Sequence, residues 1–397
     1  AAAGSRALGR HDIPAVANLL GRASALLEPS DPARIALLPD LAFALWERGS
    51  ADESKAVMSE ALTRAERLGD PEMNAHVSLM RWFLEEDLEG SHDRVRTIAE
   101  QAAALFERAG DESGLARAWH LIGMVEWDLG QAGRQLPALE RALEHAQRAG
   151  DAFETAEVLL SVTAALVRGP TPVPIGIARA ERVIDQYPAN RGAEAYMCHA
   201  LAHLRARLGE FDAAREAAER YRRFLHDTGQ MIGYWRGAEV LFDIEMLAGD
   251  AATATAVAEE AYTKLVERDD RWPYLCAFVA QARFALGRYA DAAEVAEVAA
   301  SSAVAVERAL GFGVLARVRA REGDATAAER LIDESVAIVE RTDFLFDRGT
   351  VQLDRAEVME LLGRNEDARI ARERALEMFE EKGDIVSAAR TRSLLDP

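Results

Sequence analysis

The sequence predicts an all-α fold: a right-handed superhelix of about ten helical hairpins, closed at its C-terminal end by one capping helix. Three observations predict it. A glycine recurs at Gly49, Gly90, Gly130, Gly169, Gly209, Gly249, Gly287, Gly323 and Gly363, at spacings of 36 to 41 residues. Between these marks apolar residues return every three or four positions, the period of an amphipathic helix. Small residues stand at fixed offsets from each glycine, as repeated close packing requires.

The first unit turns near Gly9–His11, with His11 closest to the register. In later units the glycine allows a left-handed turn between two helices at little steric cost. A second mark, Gly-Asp, ends the second helix at Gly69-Asp70, Gly110-Asp111, Gly150-Asp151 and Gly383-Asp384. There glycine closes one helix and aspartate caps the next. Five positions after the turn glycine stand Ser54, Ala214, Ala254, Ala292, Ala328 and Ala368; twelve after it stand Ala61, Ala102, Ala142, Ala261, Ala299, Ser335 and Ala375. Seven residues apart, the two sets share one helix face and let neighbouring helices approach. Hairpin packed on hairpin with alanine at the crossings is the logic of the tetratricopeptide repeat, here stretched beyond its usual length of about 34 residues. The helices should run roughly 16–18 residues. The segment "RGPTPVPIGIARAERV" at 168–183 breaks the pattern with three prolines in five positions. Proline removes donors and cannot continue a helix, so this turn is longer and stiffer, a variant loop or a hinge. A last helix at about 384–395 covers the final hairpin. Residues 1–397 thus form one tetratricopeptide-like solenoid, divisible near 168–174.

The formal net charge of −20 argues against a nucleic-acid groove, which needs a cationic surplus, and against anionic membrane surfaces. Two cysteines, Cys198 and Cys276, make no disulfide framework and suit a reducing cytoplasm. No apolar stretch is long enough to span a bilayer. The chain opens inside a helical pattern without an initiator Met and reads as a piece of a longer protein.

The stretches "GRHDIPAVANLLGRASALLEPSDPARIALLPDLAFALWERGSADESKAVMSEALTRAERLGD", "LFERAGDESGLARAWHLIGMVEWDLGQ", "VRGPTPVPIGIARAERV" and "VERTDFLFDRGTVQLDRAEVMELLGRNEDARIARERALEMFEEKGDIVSAARTRSLL" resemble the tetratricopeptide region of large bacterial signal-transduction ATPases. Members of that family often carry a class III adenylate/guanylate cyclase domain, then an ATPase domain, then this region. The resemblance implies a sensor and protein-interaction module acting on ATPase or cyclase domains of the same polypeptide. A stand-alone scaffold, or the effector domain of an ATP-dependent transcription regulator, fits the same residues. A phosphate loop encoded before Ala1 would exclude the scaffold.

The chain holds no G-x-x-x-x-G-K-[ST] loop, no G-x-G-x-x-G after a strand, no G-x-S-x-G and no H-E-x-x-H. Neither an activity of its own nor a cofactor is expected. His199 and His203 share a helix face beside Cys198, a spacing that can hold zinc. Two histidines are two ligands short, and Cys198 points about 100° away, so the pair is expected to pack or to line a groove. Cys276 is expected buried and inert. All six tryptophans fall in first helices, which line the concave wall.

Register places that wall about 13, 10, 6, 3 and 2 residues before each turn glycine. It gives Arg117, His120 and Trp127 before Gly130. It gives Tyr196, His199, His203 and Arg207 before Gly209, then Arg236, Glu239 and Asp243 before Gly249, and Gln281 before Gly287. The fifth hairpin adds an apolar floor of Ala156, Leu159, Thr163, Leu166 and Val167. An apolar floor with convergent polar groups is the pattern of a ligand pocket. A peptide, a partner protein or a small effector is the expected occupant.

Overall fold

The structure, a computed structural model, describes residues 2–84 and 91–395. Every regular element among them is a helix. The chain forms α1 (Ala2–Leu8) and α2 (Ile13–Leu26), α3 (Pro32–Glu47) and α4 (Ala51–Leu68), α5 (Pro71–Leu84) and α6 (His92–Ala109), then α7 (Glu112–Asp128) and α8 (Ala132–Ala149). The middle continues with α9 (Ala152–Arg168) and α10 (Val173–Gln186), then α11 (Arg191–Arg207) and α12 (Phe211–Thr228). In the seventh hairpin the first helix is split into α13 (Met231–Arg236) and α14 (Ala238–Ala248), followed by α15 (Ala251–Val266). Then come α16 (Pro273–Ala285) and α17 (Tyr289–Ala300), α18 (Ala305–Arg321) and α19 (Ala325–Val339), α20 (Leu345–Leu361) and α21 (Asn365–Lys382), and a closing helix α22 (Ile385–Ser393).

The punctuation works as its chemistry dictates. His11 takes the left-handed conformation in the first turn, at φ 57°, where later units use glycine. Gly90 lies outside the described residues. Gly169 departs from the pattern: its backbone is extended, at φ −69° and ψ −174°. The prolines that follow impose a different exit, so no left-handed turn forms. The aspartates of the Gly-Asp pairs cap the next helix, accepting from Met73 N (3.1 Å), Gly114 N (2.9 Å), Glu154 N (2.9 Å) and Ser387 N (2.9 Å).

The small-residue positions are buried at the helix crossings. Ala142, Ala214, Ala254, Ala292, Ala299 and Ala375 are fully inaccessible. Serine is tolerated at two of these sites because its hydroxyl finds a carbonyl on the facing helix. Ser54 Oγ donates to Ala42 O and Ser335 Oγ to Ala309 O, both at 2.7 Å. Helices α4, α6, α8, α12 and α21 have 18 residues, while α16 and α17 shorten to 13 and 12. Trp272 is the N-cap of α16 rather than a helical residue.

The solenoid is wound tightly enough for residues about 210 positions apart to touch. Asp343 caps the start of α8, accepting from Ala132 N (2.8 Å) and Gly133 N (2.7 Å), and its own N–H donates to Gly130 O (2.9 Å). Lys382 Nζ, fully buried, donates to Leu166 O (2.8 Å), Gly169 O (2.6 Å) and Thr171 O (2.7 Å). Residue 170 is a proline and cannot supply the helical donor that Leu166 O would otherwise meet; the lysine takes that place. Arg168 pairs with Asp347, both buried. The proline loop is therefore a contact between successive turns of the superhelix. Beyond the last hairpin, α22 reaches α14, where Arg390 donates to Met246 O and Leu247 O at 2.8 Å.

Candidate functional site

Tight winding decides what becomes of the concave wall. Helix α11 carries Tyr196, His199, His203 and Arg207 on one face, and α14 carries Glu239 and Asp243 opposite them. His199 Nε2 lies 2.7 Å and His203 Nε2 3.2 Å from Glu239 Oε1. His203 Nδ1 lies 2.7 Å from Asp243 Oδ2. Arg207 Nη1 donates to that same oxygen at 2.8 Å and to His203 O at 2.8 Å. Its guanidinium stands 4.0 Å over the Phe346 ring and 3.7 Å from Asp384. Tyr221, from α12, stacks on His199 with ring centroids 4.3 Å apart.

These groups are buried rather than arrayed along an open trough. Tyr196 and Arg207 are 1% exposed, Glu239 4% and His203 5%. Burial opposes ionisation of Glu239, yet the charge of His203 and hydrogen bonds from both histidines hold its carboxyl far below the usual range. Burial likewise opposes ionisation of Asp243, and the Arg207 charge beside it brings its carboxyl down to about 2. Desolvation pulls His203 down, but Glu239 and Asp243 outweigh it and the net shift is upward. Desolvation wins at His199, which is lowered. The two imidazoles are thus shifted in opposite directions around one carboxylate.

Arg236 does not extend the Glu239–Asp243 row. The helix breaks at Gly237, where a Cβ would lie 2.8 Å from Tyr221 Cε1. Arg236 turns instead to Asp270, at 3.0 and 3.1 Å, and lies over the Trp46 and Trp272 rings. Arg117 and His120 meet at Glu154, with His120 Nδ1 2.8 Å and Arg117 Nε 3.7 Å away. Trp127 packs on Phe344, centroids 4.8 Å apart. Gln281 is half-buried on α16, apart from these clusters. The apolar floor is packed: Ala156, Leu159 and Leu166 are inaccessible, and Thr163 Oγ1 donates to Tyr196 O at 2.8 Å.

Clefts open to solvent are found among the described residues. One, of about 510 Å³, is lined by Arg317, Arg321, Asp354, Glu357, Glu360 and Arg372 near the C-terminal end. A smaller one, of about 150 Å³, lies between α11 and α12 beside Cys198. Both cysteines are buried and unpaired. Burial pushes the Cys276 thiol up to about 12, so it stays protonated and inert.

A tetratricopeptide-repeat family model matches residues 116–146. The structure is similar to that of a Rap protein complexed with Competence and Sporulation Factor, at 14% identity and TM-score 0.60, covering 89% of this chain and all of that one. It is also similar to a human IFIT1 dimer with m7Gppp-AAAA, at 13% identity and TM-score 0.51, covering 94% and 90%. This is a tetratricopeptide-like solenoid. No curated protein matches it in sequence. Among the described residues no helix of the solenoid is long and apolar enough to cross a membrane.

The groups that sequence reasoning missed come from the neighbouring hairpin, as Glu157 on α9 does, and from another superhelical turn. Glu157 Oε1 lies 3.0 Å from the Tyr196 hydroxyl and 3.3 Å from His11 Nε2. Asp347 and Lys382 arrive from the last hairpin, and Asp384 from the start of the closing helix. A repeat period fixes which face a residue occupies but carries no signal for superhelical pitch, which decides these meetings. Tyr221 was missed because it sits on a second helix, outside the concave-wall register.

Proposed function

We propose that this solenoid is the non-catalytic sensor and interaction module of a bacterial signal-transduction ATPase, linked to a nucleotide cyclase and working in the cytoplasm. A repeat scaffold that holds peptides and proteins is the general use of such folds. The observation that supports a binding site in this chain is the buried seam between α11 and α14. It gathers imidazole, carboxylate and guanidinium groups in one place. His199 Nδ1, Arg207 Nε and Glu239 Oε2 are buried there without a hydrogen-bond partner. Buried polar atoms are ordinarily satisfied, so the seam is short of partners of both signs. A polar peptide segment or a zwitterionic effector supplies both donors and acceptors.

The same seam joins successive superhelical turns, since Arg207 faces Asp243 on one side and Asp384 on the other. A ligand that competes for Arg207 favours an opened winding over the closed one. Such differential affinity is what an effector needs to bias an attached ATPase between resting and active states.

The test selects binders from a random linear peptide pool on the purified chain, then compares the wild type with the double variant His203→Ala, Arg207→Ala, two residues of the seam. Loss of binding with retained helical circular dichroism supports the seam. Undiminished binding moves the site elsewhere, and the cleft at Arg317 and Asp354 becomes the better candidate. Reading the coding sequence upstream of Ala1 for a phosphate loop tests the link to an ATPase.

A further inference from the structure

The seam contains a second, more specific arrangement. His199, His203 and Glu239 each offer one donor atom, and these atoms lie within 4.8 Å of one another. We propose that they form a binding site for a divalent transition metal of the zinc class, with Asp243 as the group that orients His203. The proposal is independent of whether the solenoid also binds a peptide.

The spacing suits the ion. Around a metal with bonds of about 2.0–2.2 Å to imidazole and carboxylate, neighbouring donors stand roughly 3–3.5 Å apart. The two imidazole-to-carboxylate separations here are 2.7 Å and 3.2 Å. These two change by about half an ångström on binding, and the two imidazole nitrogens, within 4.8 Å of each other, close on the same ion. The donor set is two histidines and one carboxylate, which selects zinc, iron, cobalt, nickel or copper over calcium or magnesium.

The surroundings also suit it. His203 Nδ1 meets Asp243 Oδ2 at 2.7 Å, and Arg207 holds that same oxygen at 2.8 Å. A carboxylate on the far nitrogen of a ligating histidine fixes the tautomer and strengthens the nitrogen that faces the metal. His199 is held by the Tyr221 ring stacked on it. Glu239 Oε2 is buried and has no hydrogen-bond partner; a carboxylate bound through both oxygens, or a metal-bound water, would use it. The His199 side chain is 14% exposed against 6% for the other two, which leaves a route for the ion and room for an exchangeable ligand. Cys198, the sequence neighbour that first suggests a thiolate, is fully buried and lies against the cleft between α11 and α12 with Arg220 and Glu194. The third ligand instead comes from the next hairpin, so a bound ion would clasp α11 to α14.

The test uses the purified chain after chelator treatment and dialysis, titrated with Co(II) and then with Zn(II). One equivalent of Co(II) is expected to give visible ligand-field absorption that Zn(II) abolishes, and to raise the melting temperature where Mg(II) does not. Glu239→Gln and His203→Ala should each weaken binding by more than tenfold. Asp243→Asn should weaken it by about 10–100-fold, the usual effect of losing an orienting carboxylate. Cys198→Ser should leave it unchanged. Absence of cobalt absorption and of a melting shift in the wild type overturns the proposal. So does binding that is equal in wild type and Glu239→Gln, or that is lost in Cys198→Ser. Should a variant fail to fold, the wild-type absorption and melting shift still decide.

Discussion

Replacing Gly311 by alanine should destabilise the solenoid although alanine is the better helix former. Gly311 lies on α18 against the last turn of α17. A Cβ there would stand 2.4 Å from Ala300 N, 2.8 Å from Ala296 O and 2.9 Å from Ala299 C. These are backbone atoms, so no side-chain rotation relieves the clash. Ordinary contact requires about 3.5–4.0 Å, and the two helices must separate by roughly 1 Å. Overpacking of this kind costs about 1–3 kcal/mol, and rigid backbone on one side argues for the upper part of that range. The gain in helix propensity returns about 1 kcal/mol. The expected net loss is about 2 kcal/mol. The control is Gly21→Ala on α2, where nothing lies within 4 Å of the added Cβ. It should stabilise by up to about 1 kcal/mol. Urea titrations followed by circular dichroism compare the midpoints, and amide exchange of α17 and α18 locates the loss. A Gly311→Ala variant as stable as the wild type, with unchanged exchange, would refute the close approach of these helices.

Three further outcomes are expected. Ala299→Leu, at a fully buried crossing, should cost roughly 1–3 kcal/mol, read from melting curves alongside an exposed-site alanine as control. Burial brings the Lys382 ammonium down to about 7 from 10.5; between those values the unfolded chain binds a proton that the folded chain has released. Stability should therefore rise with pH across that window, by at most about 1.4 kcal/mol per pH unit, and urea midpoints of Lys382→Met at several pH values should lack the slope. The purified chain should neither hydrolyse nor cyclise ATP; turnover abolished by a point change within it would contradict the non-catalytic reading.

The hairpins were legible because their causes are local. A turn glycine, a capping aspartate and an alanine at the crossing each act within one or two helices, and each of these leaves a mark in the sequence. Even His11 could be placed by register, although it is not a glycine. The wall residues were legible as a face but not as an environment. Tyr196, His203 and Arg207 do share one side of α11, yet their surroundings include Glu157 from the neighbouring α9 and Asp384 from the start of α22, on another superhelical turn. Arg236 was assigned to the Glu239 row because a continuous helix was assumed. Gly237, packed against Tyr221, breaks it, and glycine in a helix reads from sequence only as a weak cost. The extended backbone at Gly169 follows from the proline after it; what stayed hidden is that its loop is held by Lys382, more than 200 residues away.

The lysine bridge and the Asp343 cap also bear on how the chain reaches this state. A repeat array with contacts between neighbours alone behaves as a one-dimensional lattice: folding can begin anywhere and spread, and the ends can fray without disturbing the middle. Contacts at sequence separations of 210 to 216 residues close loops of five hairpins and make the lattice two-dimensional. Such contacts carry a closure entropy that must be met before they form, so they belong late in folding. Once formed, they tie the fate of the last hairpins to that of the fourth and fifth. Shortening the chain from its C-terminal end would then loosen its centre, where an open array would lose stability at the cut alone.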